Sequence, residues 1–221
     1  MISIETFPDR ETLAAAAAQA IADALSRPGP VSFVATGGST PGPVYDRLSH
    51  SDLDWRRVTV TLGDDRWVDP ASSDSNERLV RTRLLSGHAA GARFLPLKGR
   101  GDSPDADAAA VEPAIGALLP FAVVLLGMGE DGHIASLFPR APAPAPGRLC
   151  MGVAMSGLAP FVPRITLTLE ALLRTRLVIL LITGEAKLAL VNRAITDRAF
   201  NPPAAGVLRQ DAAPVRVLWA L

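Results

Sequence analysis

The stretch LLGMGEDGHIASLFP, residues 125–139, follows the apolar run Ala122-Val123-Val124 and decides how the chain is to be read. Its glycines, Gly127, Gly129 and Gly132, have the G-x-G-x-x-G spacing of a dinucleotide-binding turn at the end of a buried strand. That motif also demands a helix of a few turns after the third glycine and an acidic residue ~20 positions on, to hold ribose hydroxyls. Here the chain reaches Pro139 six residues after His133 and then alternates Ala with Pro. No acidic residue occurs between Asp131 and Glu170. The dinucleotide reading fails on both counts. What stays is a tight glycine turn at a strand's carboxyl end, displaying Glu130, Asp131 and His133. Ser136 and the amides of a short helix expected to follow offer donors for an anion or a developing oxyanion. A solvated turn with an incidental histidine fits these residues equally well.

The same strand-then-turn pattern recurs along all 221 residues. Apolar, β-branched runs predict strands at 2–6, 31–35, 58–62, 94–97, 123–126, 153–155, 164–167, 177–183 and 215–218. Helical spacing predicts helices at 10–26, 43–50, 75–85, 106–118, 170–174 and 185–195. Asp9 is placed to cap the first helix, and Pro113 to kink the fourth or split it. This alternation predicts an α/β fold: a Rossmann-like three-layer α/β/α sandwich on a mainly parallel sheet, one domain over 1–221. Ligands of such sheets gather at the carboxyl ends of the strands. The stretch APAPAPG, 141–147, reads as an extended surface excursion rather than a domain boundary.

The 22 Lys and Arg balance the 22 Asp and Glu, so no basic field points to nucleic acid; a few local cations still suffice for one small anion. A single cysteine, Cys150, excludes an internal disulfide and a cysteine-based zinc site. His50, His88 and His133 form no H-x-H or H-x-x-x-H pair, so no metal site is expected. The apolar runs near 122–126 and 177–182 fall far short of the ~20 residues a membrane helix requires. MISIETFPDRE at the start carries no secretory signal, so a cytoplasmic protein without cofactor is expected. There is no G-x-S-x-G elbow to supply a serine nucleophile. A hydrolase built from this chain would use water, with His133 as its base.

A second loop pairs naturally with the first. In VSFVATGGSTPGPVYDRL, 31–48, Gly37 and Gly42 have P-loop spacing, but Pro43-Val44 stands where that motif needs Lys-Ser/Thr. A nucleoside triphosphate site is excluded. The amides of Gly37 and Gly38, the Ser39 and Thr40 hydroxyls and the following helix N-terminus still suit a monophosphate. A side-chain-capped βα turn would use the same Ser-Thr-Pro residues. Three cations sit where strands end or helices begin: Arg66 in VTLGDDRWV, Arg164 in RITLTLEAL and Lys187 in ITGEAKLAL. A lysine at a helix start opposes the macrodipole, which makes Lys187 the least ordinary of them. Asp64 and Asp65 adjoin Arg66 and are placed to pair with it.

Taken together, these segments resemble the 6-phosphogluconolactonase family, within the wider group that includes glucosamine-6-phosphate isomerase/deaminase. The matching pieces are ATGGSTP at 35–41, GDDRWV at 63–68 with SNERLVRTRLL at 75–85, GMGEDGHIASLFP at 127–139, PRITLTLEALL at 163–173 and TGEAK at 183–187. ASLFP and DDRW favour the lactonase branch over the deaminase pattern GHIAFNEP and Asp-Glu-Tyr. Two residues depart from the lactonase pattern: Asp65, commonly Glu, and Ile134, commonly Thr, the latter as in deaminases.

The resemblance implies hydrolysis of a sugar phosphate lactone in the pentose phosphate pathway, with no metal. It implies phosphate held by the Gly37–Thr40 loop with Arg164 and Lys187, and His133 taking a proton from attacking water. Imidazole suits that task because its charge changes nearest neutral pH. Asp131 is placed to orient the ring or bind a sugar hydroxyl. Arg66 is placed to steady developing negative charge or to contact Asp131. A monomer or weak homo-oligomer is expected. The rival readings are an amino-sugar-phosphate isomerase/deaminase and a non-catalytic sugar-phosphate sensor; the sensor expects a DNA-binding helical segment that the sequence does not place before its first strand.

Overall fold

The computed structural model describes residues 1–154 and 161–221. In chain order its first half comprises β1 (Ile2–Phe7), α1 (Arg10–Leu25), β2 (Val31–Ala35), α2 (Gly42–Ser49), β3 (Val58–Leu62), β4 (Asp64–Arg66), α3 (Asn76–Arg83), β5 (Arg93–Phe94) and α4 (Pro104–Gly116). The second half comprises β6 (Val123–Leu126), β7 (Cys150–Val153), β8 (Arg164–Leu167), α5 (Leu169–Leu173), β9 (Val178–Thr183), α6 (Glu185–Thr196), α7 (Pro203–Leu208) and β10 (Val215–Ala220).

Seven strands make one sheet in the order β1-β10-β9-β6-β2-β3-β5, and every pairing in it is parallel. The central strands are covered on both faces, which is why they read as unbroken apolar runs: all of β6 and all but the last residue of β9 are buried. Right-handed crossovers carry α1, α2 and α3 to one face, where they pack on one another, and α5, α6 and α7 to the other. The expected α/β/α layering therefore holds. Asp9 caps α1 as expected, its carboxylate accepting the Thr12 amide at 2.7 Å. No helix among the described residues is long and apolar enough to cross a membrane.

Several local expectations differ. The strand expected at 94–97 is the two-residue β5 (Arg93–Phe94): the Leu95 amide still donates to Val60 O at 2.9 Å, but Pro96 has no amide hydrogen with which to continue the pairing. The strand expected at 153–155 lies earlier, as β7, and residue 155 falls outside the described residues. Pro113 does not split α4, which runs through it as one helix. The Ala-Pro stretch follows expectation: 141–147 is almost wholly exposed and has no regular structure beyond a final turn.

Unforeseen is a second sheet. β4, β8 and β7 form an antiparallel unit in which β8 is central. It grows from the carboxyl end of β3 through Gly63, whose amide donates to Ala35 O at 2.8 Å and whose carbonyl accepts from the Leu167 amide at 2.8 Å. That junction sets the small sheet over the loops where the parallel strands end.

Candidate active site

The two loops meet because of strand order. β2 and β6 are neighbours, paired at Phe33 with Val123 and Val34 with Val124, yet their connections leave toward opposite faces of the sheet. Such a switch point opens a crevice beyond the strand ends. The Gly37–Thr40 loop leaves β2 there, the Gly127–His133 turn leaves β6, and β9 beside them delivers Lys187 on α6. A cleft of about 240 Å³ is lined by Gly37, Gly38, Ser39, Thr40, Arg66, His133, Arg164 and Lys187. Of the residues that the resemblance assigned to the site, Asp131 alone stands outside the lining.

α1, α3, α4 and α5 each begin with a side chain, Asp9, Ser75, Ser103 and Thr168, accepting a first-turn amide. α2 and α6 begin with Pro41 and Gly184 and have no side-chain cap. Of the helices without a side-chain cap, α7 begins at Pro202 away from the cleft, whereas α2 and α6 begin beside it. Both of these open helix ends face the cleft, which disposes of the capped-turn reading of the Ser-Thr-Pro loop. Lys187 stands in the first turn of α6, as expected.

The small sheet supplies the other cations. Arg66 and Arg164 are directly opposed across β4 and β8. Like charges so placed repel. Burial first, and then the Arg66 guanidinium, pull the Arg164 pKa below its ordinary value, against Asp64, Asp65 and Asp74. Arg164 is only 5% exposed, and the Nε atoms of both arginines are buried with no hydrogen-bond partner among the described residues. Arg164 opens β8, the strand expected at 164–167. Its guanidinium lies over the Phe138 ring, 5.6 Å from the centroid, and that ring also contacts His133 with centroids 5.0 Å apart.

On the turn, Asp131 Oδ1 accepts the His133 amide at 3.1 Å and lies 2.6 Å from Nδ1. That bond puts the proton on Nδ1 and leaves the Nε2 lone pair available. Burial pushes the Asp131 carboxyl up, but the His133 amide and ring outweigh it and hold its pKa below the ordinary value. Gly129 is glycine for a local reason: a Cβ there would collide with the His133 ring. Of the two roles open to Asp131, this contact is the ring-orienting one.

Three expectations need correction. No helix follows the glycine turn, and Ser136 is 1% exposed, its hydroxyl donating to Asp64, so it offers nothing to a ligand. Asp65 does not pair with the Arg66 guanidinium; it accepts the amides of Arg66 at 2.8 Å, Asn76 at 2.6 Å and Glu77 at 3.1 Å. Nor does Arg66 hydrogen-bond to Asp131: its Nη1 donates to Asn76 Oδ1. Sequence reasoning gave no role to Asn76, which also lines the cleft. Its place right after a Ser cap was the available signal.

Over residues 9–219 the chain matches the family described as glucosamine-6-phosphate isomerases/6-phosphogluconolactonase. The 6-phosphogluconolactonase of Caulobacter vibrioides is 48% identical, over 99% of this chain and 97% of its own. The crystal structure of a 6-phosphogluconolactonase from Shewanella baltica superposes with a TM-score of 0.93 at 35% identity, covering 100% of this chain and 98% of that one. A monomeric glucosamine-6-phosphate deaminase, 18% identical, superposes at 0.83 over 97% of this chain and 96% of its own, a likeness of fold alone.

Proposed function

The chain belongs to the family of glucosamine-6-phosphate isomerases/6-phosphogluconolactonase, and from that premise we propose that it hydrolyses 6-phospho-D-glucono-1,5-lactone to 6-phosphogluconate. One observation carries the reading: an Asp-oriented imidazole faces the same cleft as two uncapped helix ends and three cations. The phosphate takes the Gly37–Thr40 loop, with Arg164 and Lys187 completing its partners. At the other end His133 Nε2 removes a proton from water as the water oxygen bonds to the lactone carbonyl carbon. Negative charge gathers on the carbonyl oxygen and is steadied by Arg66. When the intermediate collapses, the ring C–O bond breaks and the leaving oxygen takes the proton from His133. Asp131 keeps the ring in the required tautomer throughout. The same reading has residues 1–221 working as one unit in the cytoplasm, as a monomer or weak homo-oligomer, without metal or cofactor.

The test is a coupled assay on freshly generated lactone, corrected for its spontaneous opening. His133→Asn is expected to keep its melting temperature and lose roughly 10²–10⁴ in kcat. Wild-type turnover in that variant would remove the proposed base. Ammonia release from glucosamine 6-phosphate, the signature of the other branch, is expected to be absent.

A further inference from the structure

Asn76 is the first residue of α3, 3% exposed, and it touches three walls of the cleft at once. Its Nδ2 donates to Asp64 O at 2.8 Å and Asp64 Oδ1 at 3.3 Å, which ties it to β4. Its Oδ1 accepts from Arg66 Nη1 at 2.5 Å. That oxygen also occupies the space a Cβ on Gly37 would fill, so the carboxamide lies against the backbone of the anion loop. The amide's orientation follows from these bonds. Turned over, it would aim an NH₂ at a guanidinium and an oxygen at two others.

The chemistry of the partner matters more than its position. A half-buried guanidinium is usually held by a carboxylate. Two carboxylates stand close by, yet both are engaged elsewhere: Asp65 by the amides of α3 and Ser75 Oγ, Asp64 by Ser136 and Asn76 itself. Among the described residues Arg66 makes no ion pair. A neutral oxygen fixes the group while leaving its charge for a ligand. We propose that Asn76 is a positioning residue, holding the Arg66 guanidinium at the cleft wall beside the Gly37 turn without neutralising it. The inference rests on the role given to Arg66 above.

A double-mutant cycle with Arg66→Ala separates this from a merely structural part. Asn76→Ala is expected to lower kcat/KM roughly 10²-fold in the wild-type background. In the Arg66→Ala background it should cost less than about threefold, since a positioning residue has nothing left to position. Both single variants should move the same constant, kcat or KM. Equal losses in both backgrounds overturn the proposal, as does wild-type activity in Asn76→Ala. Should Asn76→Ala fail to fold, Asn76→Asp keeps the shape and pairs Arg66 with a carboxylate; activity is expected to fall, and wild-type turnover would again overturn the idea. A crystal structure of either variant reads the same point without turnover. In Asn76→Ala the Arg66 guanidinium should leave its place, and an unmoved guanidinium refutes the inference even if the chain acts on another substrate. Normal turnover in Arg66→Ala would instead refute the role given to Arg66, and this inference with it.

Discussion

The two sheets of this molecule are built on opposite principles. The parallel sheet is held by apolar side chains: Phe33 and Val34 of β2, all four residues of β6, and Val178 to Ile182 of β9 lie in the core. The antiparallel sheet buries Asp64, Asp65, Arg164 and Thr166 within two short strands, two of them carboxylates and one a guanidinium. Desolvating charge is costly unless it is well partnered, so the small sheet gives up stability where the large one gains it. The large sheet sets where strands end; the small one adds cations above those ends. Stability and charge placement are thus divided between two units joined at Gly63.

Asp65 should show the largest consequence of that division. Burial pushes its carboxyl from an ordinary 3.8 up to about 6, against the amides and hydroxyl that favour the ionised form. A folded-state pKa above the unfolded one means stability is present in full below pH 3.8 and is lost as pH rises through about 6. The gap is worth about 3 kcal/mol. Denaturant titrations at pH 4, 5, 6 and 7 should show wild type losing ground to Asp65→Asn by up to that amount. A difference between the two proteins that stays flat with pH would mean the small sheet carries no such cost, and the contrast between the sheets would break.

That contrast also governs what the sequence could disclose. Continuous runs such as Val123-Val124-Leu125-Leu126 announce strands buried on both faces, so the parallel sheet and its helices were legible to within a few residues, except the short α7, which the sequence reading missed. GDDRWV announces nothing of the kind, because Asp, Asp and Arg argue against a buried strand on propensity alone. β4 exists because Asp65 caps α3 and Asp64 receives Ser136, partners 10 to 72 positions away. Such hydrogen bonds leave no period in a sequence. The same blindness hid Asn76 and misread Ser136 as a donor to ligand, whereas His133, Lys187 and the Gly37–Thr40 loop sit on strand ends that periodicity locates.

Arg164 offers the next sharpest test. Its guanidinium is buried, faces Arg66 and leaves Nε without a partner among the described residues, a poor choice for a fold and a good one for an anion. Arg164→Met removes the charge and keeps most of the volume. KM is expected to rise roughly 10- to 10²-fold, the value of a hydrogen bond to a charged group. The melting temperature of the free protein should hold or increase. A variant that loses stability while keeping wild-type KM would make Arg164 a structural residue of the small sheet, and the assignment of function to that sheet would fall.

Lys187 probes the other side, since it belongs to the large sheet. It stands in the first turn of α6, after Gly184 at φ 87°, where its charge opposes a helix end that no side chain caps. The opposition costs about 0.3–1 kcal/mol, screened by salt. Lys187→Ala should therefore be stabilised by that amount in dilute, phosphate-free buffer, with KM raised only several-fold because ammonium is a flexible point charge. Adding inorganic phosphate should reverse the order, for the anion binds the wild-type helix end better and folding follows binding. A variant less stable than wild type without phosphate would show that Lys187 serves the fold. The expected reversal would show instead that the apolar sheet, too, concedes stability where its helices meet the ligand, so the division between the sheets runs along strand interiors and not through their ends.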